Sequence, residues 1–220
     1  MATRCPSHAL RRHAARAALG VTLTATAAFG VVAPAAADTP QHAGTGAETP
    51  AKAGAVSVTA DQVLALARAQ IGVSENAYGG GTKFQEWYAY SQRAAETIAR
   101  DGGNRAGYLN AAWCAMFVSW VGENSGARPQ IGWDAYTVTH AQWFADKGRW
   151  GTTPKPGAVV FFAWSGSKSI SSINHVGFVV KDNGNGTLTT IEGNTGNGKV
   201  EERVRPKWQV AGYGYPQYAA

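Results

Sequence analysis

The pentapeptide Asp182-Asn183-Gly184-Asn185-Gly186 constrains the second half of this chain more than any other feature. Residues of this kind take the positive-φ positions of a tight turn and interrupt any helix. The stretches beside it, 173–181 and 187–192, are rich in Val, Ile and Thr, so a β-hairpin is predicted. An apolar run over 158–164 follows Pro156-Gly157, and two short runs at 200–205 and 210–215 offer further strands. The first half has a different period. Thr59 followed by Gln62 fits a capping box, and Val63, Leu64, Leu66, Ala67 and Ile71 give a helical stripe closed by Gly72. Residues 74–81 form a glycine-rich loop, 82–99 are predicted helical, and 100–107 are a polar break. Residues 112–121 are apolar on nearly all sides, as in a buried helix, which is expected to end near Gly126. A shorter helix is predicted over 137–147. Helices followed by an antiparallel sheet describe an α+β fold, and no internal repeat is visible.

Ahead of this domain the composition changes twice. Residues 1–37 carry Arg4, Arg11, Arg12 and Arg16 and no acid, then an apolar run over 17–32, then Ala35-Ala36-Ala37. This is the pattern of a secretory signal peptide with an A-x-A cleavage site. The Arg11-Arg12 pair is followed by His13-Ala14-Ala15, which does not support twin-arginine export. Residues 38–57 are rich in Ala, Gly, Thr and Pro and are expected to be a flexible linker, leaving 58–220 as one domain. The formal charge of +6 is concentrated in the leader. Without it, sixteen basic side chains stand against fourteen acidic ones, a net of +2. No clustered basic face is visible, so a nucleic-acid partner is not expected. No later segment is long and apolar enough to cross a bilayer.

Cleavage also changes the cysteine count. Cys5 leaves with the leader, so the mature chain keeps Cys114 and no intramolecular disulfide is expected. Cys114 falls near the predicted start of its helix, where unpaired N–H groups favour a thiolate. Alone it fits a buried structural cysteine equally well. His175 lies near the start of a predicted strand in Asn174-His175-Val176-Gly177. Glu192 and Asn194 are two apart on the returning strand, so their side chains are expected on one face, and either could reach the imidazole. A thiol, an imidazole and a polar group orienting it are the three parts of a cysteine hydrolase. His140, in the helical pattern Val138-Thr139-His140-Ala141-Gln142-Trp143-Phe144, is a rival base with no evident carboxylate partner. Trp87, Trp133, Trp143, Trp150, Trp164 and Trp208 are expected mostly in the core or a groove wall. Trp164, at a strand end, is the one singled out for contact with glycan or peptide.

These segments resemble a known family. Trp113-Cys114-Ala115-Met116-Phe117-Val118-Ser119-Trp120, Asn174-His175-Val176-Gly177 and Glu192-Gly193-Asn194 are similar, in that order, to the CHAP domain, the cysteine, histidine-dependent amidohydrolase/peptidase. The resemblance covers roughly 59–217. It implies a papain-like fold, with N-terminal helices packed on a C-terminal antiparallel sheet, and hydrolysis of peptidoglycan amides. It also implies Cys114 as nucleophile, His175 as base, Glu192 as the group orienting the imidazole and Asn194 as a supporting polar group. A secreted, monomeric enzyme acting on the stem peptide and glycan of the cell wall is expected. A non-catalytic wall-binding module or another papain-like enzyme, such as a general protease or transglutaminase, are the alternatives.

Some phage-derived relatives bind calcium through closely spaced aspartates before the cysteine. Here Asp101 is the only aspartate between Asp61 and Cys114, and no zinc-like cluster is visible, so neither metal nor cofactor is expected. Hydrolysis should therefore survive a chelator and be abolished by thiol alkylation. Activity lost in chelator and restored by a divalent cation would contradict this.

Overall fold

The structure, a computed structural model, describes residues 56–220. The expected signal peptide and all but the last two residues of the expected linker lie outside the described residues. Helix α1 (Ala60–Arg68) begins with the predicted capping box: the Thr59 hydroxyl accepts from Gln62 N, and the Gln62 side chain accepts from Thr59 N. The helix expected over 82–99 is two helices, α2 (Lys83–Ala89) and α3 (Gln92–Asp101). Ser91 makes the break. Its hydroxyl donates to Tyr88 O at 2.7 Å and accepts from Ala94 N at 3.1 Å, ending one helix and capping the next. Then follow α4 (Ala106–Leu109), α5 (Cys114–Asn124), α6 (Arg128–Ile131) and α7 (Thr137–Asp146). As its composition predicts, α5 is buried on nearly every side.

The second half is an antiparallel sheet. Its strands are β1 (Trp150–Gly151), β2 (Val159–Phe162), β3 (His175–Asp182), β4 (Thr187–Thr195), β5 (Lys199–Pro206) and β6 (Val210–Gly214), in the order β1-β6-β2-β3-β4-β5. The β3–β4 hairpin turns at the predicted pentapeptide, with Gly184 and Gly186 at φ of 76° and 83°. β1 has no sequence pattern of its own and exists through its pairing with β6.

Alternation along the strands gives the sheet two apolar faces. Val159, Phe161, Val176, Phe178 and Ile191 join the helices in the main core. Val160, Phe162, Leu188, Val210 and Tyr213 form a second cluster, with Trp164 packed against it. His175 pairs with Phe162 across β2 and β3, and Glu192 follows Ile191, so both face away from the main core. Among the described residues, no helix is long and apolar enough to cross a membrane.

Helix α5 packs on β3 and β4. Phe117 meets Phe178 edge-on, ring centroids 6.3 Å apart. The closest approach is at Gly193, where a Cβ would lie 2.6 Å from Phe117 Cβ and 2.8 Å from Trp113 Cζ3. No side chain fits there, and the start of α5 is thereby held directly against β4. Gly193→Ala should lower unfolding stability by about 1–3 kcal/mol, the usual cost of overpacking. Urea denaturation would measure this, and an unchanged midpoint would refute the close-packing account.

Candidate active site

Cys114 is the first residue of α5, and the helix has no side-chain cap. Its N-terminal N–H groups are therefore not occupied by a capping side chain. Trp113, just before it, is fully buried, stacks on Phe84 at 5.3 Å and donates from Nε1 to Glu75 Oε2 at 3.0 Å. Glu75 is tied to the β4–β5 hairpin, since its N–H donates to Gly198 O at 2.8 Å. Gln85 Nε2 donates to Ala111 O at 2.8 Å and to Gly79 O at 3.0 Å, which fixes the approach to α5. The start of α5 is thus anchored from both halves of the fold.

The expectation of no intramolecular disulfide turns on residues outside the described ones. The expectation concerned the chain after loss of 1–37, whereas the full chain retains Cys5, which lies outside the described residues.

His175 and Glu192 are brought together. The imidazole Nε2 lies 2.8 Å from Glu192 Oε2, and both side chains are buried. A carboxylate only accepts, so this bond places the proton of a neutral ring on Nε2. Nδ1 is buried and has no hydrogen-bond partner. Glu192 lies across Gly177, where a Cβ would come within 2.7 Å of Glu192 Cγ. Glu192 accepts three further contacts: Thr190 Oγ1 at 2.6 Å, Arg205 Nε at 2.9 Å and Arg205 Nη2 at 2.5 Å. Burial alone would raise the Glu192 pKa. The hydrogen bond from Arg205, with the charge and hydrogen bond of His175, outweighs it and holds the carboxyl well below the usual carboxylate range. Arg205 also donates to Thr195 Oγ1 at 2.8 Å, and its guanidinium lies 5.0 Å from the ring centre of Trp164. Trp164 in turn stacks on His175 at 5.1 Å. His175, Glu192, Arg205 and Trp164 close a ring of contacts.

Asn194 does not follow the alternation expected of it. The β4–β5 register shifts between Glu192 and Thr195, and Asn194 has φ of 54°, so the two residues are not simply successive positions on one face. Asn194 is buried at the end of β4, and no described hydrogen bond joins its side chain to His175 or Glu192. Sequence reasoning missed Arg205, Thr190 and Glu75. Of the tryptophans, Trp164 is at the site. Trp208 is 59% exposed, and Trp143 and Trp150 pack on Phe144 and Phe161. His140 is a core residue. It is fully buried, its Nε2 donates to Ile131 O at 2.6 Å, and it packs on Phe144 and Phe161. Burial lowers its pKa, which keeps the ring neutral. Among the described residues, no three His, Cys, Asp or Glu side chains cluster as a metal site.

Residues 103–194 match the family described as CHAP domain. This segment of the chain is similar to CHAP domains. The matched segment runs through Cys114, His175, Glu192 and Asn194 and stops before Arg205. CHAP domains are amidase- and peptidase-type hydrolases of peptidoglycan. A comparison with curated proteins finds no match.

The two buried histidines of this segment should separate by mutation. His140→Phe should fold and hydrolyse peptidoglycan near the wild-type rate, losing about 1 kcal/mol of stability with its hydrogen bond. His175→Ala should be inactive. The reverse pattern in a turbidity assay on purified walls would move the site to His140.

Proposed function

We propose that this protein is a secreted peptidoglycan hydrolase that cleaves an amide of the wall peptide by acyl transfer through Cys114. The observation that carries the reading is the His175 imidazole. It is held through Nε2 by a buried carboxylate, while its Nδ1 is left unpartnered and its strand packs against the helix that Cys114 begins.

The reaction needs the reduced Cys114 sulfur. His175 Nδ1 takes the thiol proton, and the thiolate attacks the amide carbonyl carbon. The oxyanion that forms is met by the Cys114 backbone N–H, a contact of a kind worth about 3 kcal/mol. The imidazolium gives its proton to the leaving amine as the C–N bond breaks, leaving a thioester. His175 then draws a proton from water, whose oxygen attacks the thioester, releasing the carboxylate and restoring the thiol. Glu192 fixes the ring and stabilises the imidazolium, and Asn194 supports the end of β4 beside it. The bond cleaved is either the junction of N-acetylmuramic acid with L-alanine or a peptide bond in the stem or cross-bridge. Mass spectrometry of the muropeptides released from purified peptidoglycan distinguishes the two. Release of neither kind of product would reject the reading.

Cys114→Ser should remain folded and lose all lysis under reducing conditions, and wild-type clearing by that variant would overturn the mechanism. Glu192→Ala should lower turnover more than Asn194→Ala, because a carboxylate supplies charge and an amide does not. Neither should be as severe as His175→Ala. The Glu192/Asn194 double variant should lose little beyond the worse single, since parts of one catalytic unit are not additive. Hydrolysis rates, with folding checked by circular dichroism, measure this ranking. A fully active Glu192→Ala beside a dead Asn194→Ala would reverse it.

A further inference from the structure

Glu192 is the orienting carboxylate of the proposed mechanism, yet it is not His175's alone. Arg205 approaches it with two nitrogens, Nε at 2.9 Å from Oε1 and Nη2 at 2.5 Å from Oε2. The same Nη2 donates to Thr195 Oγ1 at 2.8 Å, so one guanidinium spans the register shift in which Asn194 sits. Its outer face lies over Trp164, which also stacks on the imidazole and on Phe162. The Arg205 side chain is 13% exposed and Glu192 is not exposed at all, so solvent does little to screen the pair.

We propose that Arg205 is a positioning residue that clamps Glu192 against His175 and weakens the negative charge the imidazole feels. The inference rests on the hydrolase reading above. Its physical basis is the sharing of one carboxylate. A lone buried carboxylate beside an imidazole strongly favours the imidazolium, which then gives up its proton reluctantly. A guanidinium on the same carboxylate offsets that preference. The ring can then both accept the thiol proton and release it to the leaving amine within one cycle. Other charged groups do not duplicate this role. On β5, Arg203 and Glu201 pair with each other at 3.2 Å. In the loop before α2, Glu75 is held by Trp113 Nε1. Cys114, at the start of α5, is the reaction partner itself. On the β2 side the imidazole meets the aromatic rings of Phe162 and Trp164.

The test is the pH profile of kcat/KM for peptidoglycan hydrolysis by the full-length chain, kept reduced. In Arg205→Met the unshared carboxylate should hold the imidazolium to higher pH. The acid limb, where the base must lose its proton, should then move up by about one pH unit, with lower turnover at neutral pH. A folded, active Arg205→Met with an unmoved or lowered acid limb would overturn the proposal. Arg205→Lys carries the test if the Met variant does not fold. It keeps the charge but cannot present two fixed nitrogens. Its acid limb should stay in place while turnover falls about tenfold or more through loosened geometry. Wild-type turnover in Arg205→Lys would show that no clamp is needed. An inactive wild-type chain would reject the hydrolase reading and this inference with it. An active wild-type chain with an insensitive Arg205 would reject this inference alone.

Discussion

A carboxylate with no exposure to water is the most demanding object in this fold. Stripping Glu192 of solvent costs several kcal/mol unless its oxygens are met by donors. Four donor atoms on three side chains meet them, from three strands: His175 on β3, Thr190 on β4 itself and Arg205 on β5 with two nitrogens. The alignment of these strands is therefore not free. A slip of β5 by one residue would turn Arg205 to the opposite face and leave a buried charge unmatched. The same requirement explains the bare backbone of Gly177, which gives the carboxylate room to lie beside the imidazole.

The helical half makes its own demand, and both converge at one place. Trp113 is gripped by Glu75 and Phe84 on one side and touches Gly193 on the other. Gly193 follows Glu192 directly. The residue that orients the imidazole and the residue that admits α5 are thus neighbours in the chain. An error in either packing would be felt at both.

Much of this was legible in the sequence, because it is written locally. The capping box at Thr59, the apolar helix around Cys114 and the turn at 182–186 each depend on a few adjacent residues. The α+β layout follows from their order. The candidate site residues Cys114, His175 and Glu192 were reachable because few other cysteines and histidines compete for attention. The break at Ser91 was not legible, since the residues on both sides are good helix formers and a single side chain makes the break. β1 was not legible because two residues carry no period. Arg205 was hidden for a different reason. Both strands that hold the pair were predicted, but the pattern of apolar residues does not set their register. Arg205 stands opposite Leu188, four positions along β4 from the carboxylate it binds. Asn194 marks the limit of alternation as a guide, since a single left-handed residue reorders a strand end.

The strand order carries a consequence for how the domain is assembled. β6 comes last of the six strands in sequence but lies inside the sheet, between β1 and β2. While the chain is being made from its N-terminus, β2 can pair with β3 but its other edge has no partner. The two-residue β1 has nothing to hold it. The sheet can close only once 210–214 has emerged. Until that strand arrives the inner edge of β2 stays open, so the domain cannot close strand by strand in the order in which it is written.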